Sequence, residues 1–165
     1  DRFHVTCDPR FADVIAECAA PREEHAESWI SHRIEASYRA LHAAGHAHSI
    51  ECWQDGELVG GLYGVSFERV FCGESMFSRT ADASKVALAW LVAAMRQAGF
   101  ALLDCQFMTD HLATMGAVAV PQSRYMDMLI AADGYPAASL PEAVARFAAS
   151  SSPGKSIAQS LTQTS

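Results

Sequence analysis

The 165-residue chain has no apolar run long enough to span a bilayer and no signal-peptide pattern at its start, which excludes a transmembrane protein. It is short of positive charge: 12 Lys and Arg face 19 Asp and Glu, for a formal net charge of −7. Coating nucleic acid nonspecifically requires a basic surface, so that class is excluded as well. There is no CxxC pair and no His/Cys cluster at zinc spacing. The five cysteines, Cys7, Cys18, Cys52, Cys72 and Cys105, are odd in number and sit in apolar context. They read as buried thiols of a protein from a reducing cytosol. No G-x-S-x-G elbow and no internal repeat occur. What is present is an ordinary globular composition, 50% hydrophobic and 19% charged, at a length suited to one domain. The chain opens on Asp1 rather than Met, so a natural start upstream of Asp1 is expected.

Residues 2–7 alternate and predict a strand. Asp8-Pro9 then reads as a cap and first helical position for a short helix carrying Phe11, Val14, Ile15 and Cys18. Pro21 to Glu27 reads as a charged loop, and Ser28 as the cap of a second helix ended by Gly45. Three strands follow, at 48–53, 58–66 and 69–76, the first pair joined by the hairpin signal Asp55-Gly56. Gly60, Gly61 and Gly64 mark a bulge or a close approach to the backbone. Residues 82–98 predict a helix apolar on nearly every side, hence buried, stopped by Gly99. A strand over 100–107, a short helix over 110–115, a short strand near 118–120 and a helix over 122–131 complete the pattern. The order predicts an α/β or α+β protein with a mixed sheet, the order of a GNAT-type acyltransferase fold. Residues 1–136 form the expected domain. The Ala/Ser-rich stretch 137–165 holds only a weak helix signal at 140–149 and reads otherwise as a disordered tail.

Two runs carry candidate chemistry. In Leu103-Asp104-Cys105-Gln106-Phe107, strand alternation puts Asp104 and Gln106 on one face. Such a polar pair either reaches solvent and caps the next helix, or lies at a ligand site at the carboxyl end of a strand. In Phe71-Cys72-Gly73-Glu74-Ser75-Met76-Phe77-Ser78-Arg79, Glu74 interrupts an apolar strand on the side of Cys72 and Met76. A carboxylate on an apolar floor either has a raised pKa or binds an ammonium group. Ser75 and Ser78 have no Asp–His pair in evidence and are not read as nucleophiles. His42, His46 and His48 straddle the helix end at Gly45 and read as surface or capping histidines rather than metal ligands. Arg96-Gln97-Ala98-Gly99-Phe100-Ala101 matches an acetyl-CoA-binding pattern, but at a helix end. That end presents carbonyls, whereas a pyrophosphate needs N–H groups.

The runs His46-Ala47-His48-Ser49-Ile50-Glu51-Cys52-Trp53, Gly56 to Val65, Phe71 to Ser78 with Ala83-Ser84-Lys85, and Leu103-Asp104-Cys105-Gln106 through His111 to Gly116-Ala117 closely resemble the leucyl/phenylalanyl-tRNA–protein transferases. The resemblance covers about residues 1–130. It implies a GNAT-like fold that uses neither acetyl-CoA nor any other cofactor or metal. It implies transfer of Leu, Phe or sometimes Met from aminoacyl-tRNA to the N-terminal α-amino group of proteins beginning with Lys or Arg, marking them for N-degron degradation in the cytoplasm. By the resemblance, Gln106 handles the attacking amine, Asp104 orients or polarises it, and Glu74 lies beside the aminoacyl ester. Phe71, Met76, Leu88 and Leu103 match the pocket for the aminoacyl side chain, with Leu62 and Leu91 at further pocket positions. Trp29 matches an aromatic stacking near the terminal adenine of the tRNA. The family also carries an N-terminal segment ahead of the strand that opens this chain. The competing readings are an acetyl-CoA-dependent GNAT acetyltransferase and a noncatalytic binder of basic protein N-termini.

Overall fold

The computed structural model describes residues 2–20 and 31–162. In chain order the elements are β1 His4–Cys7, α1 Phe11–Ala19, α2 His32–Ala43, β2 Ala47–Gln54, β3 Glu57–Phe67, β4 Val70–Ser78, α3 Ala83–Ala98, β5 Leu102–Asp104, α4 Asp110–Thr114, α5 Gln122–Ala131, α6 Leu140–Ala148 and α7 Pro153–Thr162. The five strands form one sheet in the order β1-β2-β3-β4-β5. The first four are antiparallel neighbours, and β5 lies parallel to β4. This is the expected mixed sheet flanked by helices. Asp55 and Gly56 have φ of +53° and +82°, the left-handed pair that a two-residue hairpin between twisted strands requires.

Helix α3 fills one face. Its Ala87, Leu88, Leu91 and Ala94 are buried with Ile50, Cys52, Leu62 and Phe71 of the sheet. On the other face, Val14, Ile15 and Cys18 of α1 are buried with Ala47, Tyr63 and Phe77. Helix α5 covers the β5 side of the sheet by packing Tyr125, Met128 and Leu129 against Val70 and Leu102. The glycines of β3 serve both expected roles. A Cβ at Gly60 would lie 2.5 Å from the Ala83 Cβ, and one at Gly64 would lie 2.2 Å from the Cys72 carbonyl oxygen. Pairing slips at Gly64: Gly64 faces Gly73, while Tyr63 faces Ser75. Glu74 is therefore the extra residue of a β-bulge.

Several local expectations differ from the structure. The strand expected over 100–107 is three residues long and ends at Asp104. Among the described residues, 118–120 pair with no strand, and Val118 is exposed. Asp8 does not cap α1: its carboxylate accepts the Ser49 N–H at 2.9 Å and meets His48 Nδ1 at 2.7 Å, tying the chain to β2. Ser31 caps α2, accepting the Ile34 N–H; the loop read at 21–27, the Ser28 cap and Trp29 lie outside the described residues. The weak helix read at 140–149 is α6, and where the remainder was expected to be a disordered tail, α7 is formed. Ser139 and Glu142 make a capping box for α6, and Leu140, Ala143, Val144 and Ile157 are buried against the α3 layer. Few apolar residues suffice there because they recur at helical spacing on one face and meet a sheet-bound helix.

Candidate active site

The first half of β4 and the carboxyl end of β5 bring together much of what the sequence singled out. Cys72 pairs directly with Asp104 across the parallel strands, and Glu74 lies two residues further along β4. The Cys72 thiol is pushed up to about 11, first by burial and then by the charges of Asp104 and Glu74. Both carboxylates thus act on one half-buried sulfur, which stays a neutral thiol and not a nucleophile.

The chain leaves β5 at Asp104 because the Asp104 side chain captures the main chain. Its Oδ1 accepts the Gln106 N–H at 2.7 Å, and Gln106 turns to φ +62°. A short polar side chain that binds the backbone two residues on makes a turn in place of a strand ladder. Asp104 and Gln106 therefore do not project from one strand face. They form a tight turn, with Asp104 half-buried and Gln106 exposed. The other oxygen, Oδ2, accepts the Tyr125 hydroxyl at 2.6 Å.

Glu74 is half-buried and accepts the Tyr38 hydroxyl from α2 at 2.9 Å. Burial, and then this bond, raises the Tyr38 hydroxyl well above the ordinary tyrosine value. Glu74, Cys72 and Tyr38 line a groove of about 480 Å³ with Ile34, Leu41 and Phe67. Because the bulge falls at Glu74, Met76 turns to the opposite face. There it packs with Leu103 against the cluster that contains Leu62, Phe71, Leu88 and Leu91. The six apolar candidates therefore share one face and Glu74 opens onto the other, while Asp104, paired with Cys72, lies at the end of β5 on the Cys72 side. The sheet thus carries the polar groups on one face and the apolar bed on the other, with Met76 and Leu103 the partly accessible members of the bed. Tyr38 and Tyr125 were missed in the sequence. Each sits on a helix distant in the chain from the carboxylate it meets.

The acetyl-CoA-like pattern lies where its polarity forbids that use. Helix α3 ends at Ala98, Gly99 has φ +85°, and its N–H returns to the Arg96 carbonyl. The Phe100 N–H closes on Met95, a helix-terminating pattern. The Arg96 guanidinium binds the Ser160 and Leu161 carbonyls at the end of α7.

Comparisons with known proteins agree with this architecture. The profile of the family described as leucyl/phenylalanyl-tRNA protein transferase matches residues 1–130. A leucyl/phenylalanyl-tRNA–protein transferase of Novosphingobium aromaticivorans is 66% identical over 128 residues, 78% of this chain and 49% of that protein. Those of Rhizorhabdus wittichii and Zymomonas mobilis are 58% and 57% identical, covering 81% and 78% of this chain and 54% and 48% of theirs. The chain thus spans about half the length of the curated relatives it matches. Among solved structures, a ribosomal-protein-alanine N-acetyltransferase from Brucella melitensis biovar Abortus 2308 superposes with a TM-score of 0.52 at 13% identity, covering 72% of this chain and 92% of that one. At that identity the likeness is one of fold, and it supports the GNAT-like reading of the sheet.

Proposed function

The chain belongs to the leucyl/phenylalanyl-tRNA protein transferase family, and from that premise we propose that it transfers an aminoacyl group, Leu or Phe and in some cases Met, from tRNA to a protein's N-terminal α-amino group. The acceptors are proteins beginning with Lys or Arg, and the product is marked for N-degron degradation in the cytoplasm. Residues 1–136 carry the transferase machinery. Among the described residues no helix is long and apolar enough to cross a membrane.

The observation that carries this reading is the turn at the end of β5, where the Asp104 carboxylate holds the Gln106 main chain directly after Leu103 of the apolar bed. The aminoacyl ester is already activated, so the site needs proximity and one proton acceptor. The acceptor amine attacks the ester carbonyl carbon and a C–N bond forms. The bond to the ribose oxygen breaks, and that oxygen takes a proton while the nitrogen gives up its surplus ones. Gln106 meets the amine, Asp104 orients it, and Glu74 lies on the groove side of the ester. Phe71, Met76, Leu88 and Leu103, with Leu62 and Leu91 behind them, receive the aminoacyl side chain. Selection there is by buried area, which separates Leu from Phe only weakly. Trp29 stacks on the terminal adenine, a contact worth roughly 1–3 kcal/mol.

The test uses labelled Phe-tRNA and two peptides differing only in an initial Arg or Ala. Label in the Arg peptide alone is the expected result, and none in either removes the reading. Acetyl-CoA is expected to bind no tighter than millimolar, about a thousandfold weaker than a micromolar cofactor site. Calorimetry checks this, and micromolar binding would favour the acetyltransferase reading.

A further inference from the structure

Both oxygens of Asp104 are engaged, and the two donors come from different parts of the chain. Oδ1 holds the Gln106 N–H inside the turn, while Oδ2 holds the hydroxyl of Tyr125, 21 residues away on α5. Gln106 stands at φ +62°, a region that few non-glycine residues occupy. One exposed hydrogen bond to a carboxylate is a weak constraint, because the carboxylate rotates broadly about its last torsion and water competes for its oxygens. A second bond to the other oxygen fixes the carboxylate plane. Tyr125 is itself anchored, packing with Met128 and Leu129 on Val70, Leu102 and Ala132. Its hydroxyl is pushed up to about 12, first by the bond to Asp104, so it remains a donor throughout the neutral range.

We infer that Tyr125 is a positioning residue for the acyl transfer: it locks the Asp104 carboxylate, which holds the Gln106 turn and so sets where the Gln106 side chain meets the attacking amine. The inference rests on the proposed role of Gln106. Its physical part is that the sheet-packed helix α5, and not the turn alone, determines the geometry of the turn. Exchange of the Gln106 amide with solvent reports that part without any substrate.

The experiment compares wild type, Tyr125→Phe, Asp104→Ala and the double variant on the full chain. It follows single-turnover transfer from saturating Phe-tRNA to the Arg-initiated peptide, Phe-tRNA affinity and hydrogen exchange at the Gln106 amide. Phe keeps the ring and its packing, so the fold survives in Tyr125→Phe. That variant is expected to slow transfer about tenfold, leave Phe-tRNA affinity within about twofold and speed Gln106 exchange by about fivefold or more. In the Asp104→Ala background it is expected to change the rate by less than about twofold, because the tyrosine acts through the carboxylate. Wild-type transfer and exchange in Tyr125→Phe would overturn the inference, as would equal slowing in both backgrounds, the signature of a purely structural role. If wild type transfers nothing to the peptide, the acyl-transfer reading fails, and the assigned role fails with it. Gln106 exchange still decides the lock in that case: faster exchange in Tyr125→Phe upholds it, and unchanged exchange overturns it.

Discussion

Two kinds of carboxylate occupy this sheet, and their surroundings differ. Glu51, on β2, is fully buried. It accepts from the Thr6 hydroxyl, from the Arg10 N–H at 2.9 Å and from the Ser49 hydroxyl at 2.9 Å. Thr6 in turn accepts the Trp53 indole N–H. Asp104, at the carboxyl end of β5, and Glu74, at the middle of β4, are half-buried, and each accepts one tyrosine hydroxyl from a helix, Asp104 the Gln106 N–H as well. A buried carboxylate surrounded by donors from its own fold has no access to a substrate; what it does is tie β1, the start of α1 and β2 together. A half-buried carboxylate keeps part of its surface open to solvent. Burial of a charge therefore does not by itself mark a site: the open side does.

The sharpest way to break the comparison is at the turn. Asp104→Ala and Gln106→Ala are each expected to slow single-turnover transfer by about 10²–10³-fold while aminoacyl-tRNA affinity stays within about threefold. Thermal melts are expected to show a small loss of stability for both. Wild-type rates from both variants would make the turn a structural polar pair. Glu51→Ala has the opposite expected profile. It strands three donors and is expected to cost about 3 kcal/mol of folding stability in denaturant titration, with the rate per folded molecule unchanged.

The apolar bed lies between these cases. Met76→Ala and Leu103→Ala are each expected to weaken recognition of the Leu or Phe side chain by about 1–3 kcal/mol, read as a rise in apparent KM with little change in the maximal rate. The smallest expected effect is a pH dependence. Burial, the dominant cause, raises the Glu51 carboxyl above the ordinary glutamate value, despite the bonds from Thr6, Arg10 and Ser49 that lower it. A raised carboxyl is easier to accommodate protonated, so wild-type stability is full below the ordinary value and declines as pH rises through the folded one. Glu51→Gln, which never ionises, is expected to lack that decline. Its stability relative to wild type should climb across the window in equilibrium melts taken from pH 4 upward, and parallel curves would refute it.

Much of the fold was legible in the sequence. The alternation of residues 2–7, the Asp55-Gly56 hairpin, the all-round apolar helix ended by Gly99 and the glycines of β3 all correspond to elements observed. The candidate site was legible less evenly. The six apolar positions do converge, and Asp104 does stand beside Gln106, but as a turn and not a strand face. Glu74 and Met76 were read onto one side, and the bulge separates them.

The sequence by itself determined the periodicities, the punctuation by glycine and proline, and the motifs that identify the family, because each of these is a property of residues near one another in the chain. Only the tertiary structure decided where β5 stops, which face Met76 takes, and that residues 153–162 form a helix and not a tail. Those outcomes depend on partners far away in the chain. Tyr125 lies 21 residues from Asp104, Tyr38 lies 36 from Glu74, and α3 offers Leu140 and Ile157 a surface to bury against. A single extra residue in a strand inverts every face beyond it. A local pattern records the period but not the slip, since the slip follows from how β3 and β4 pair around Gly64.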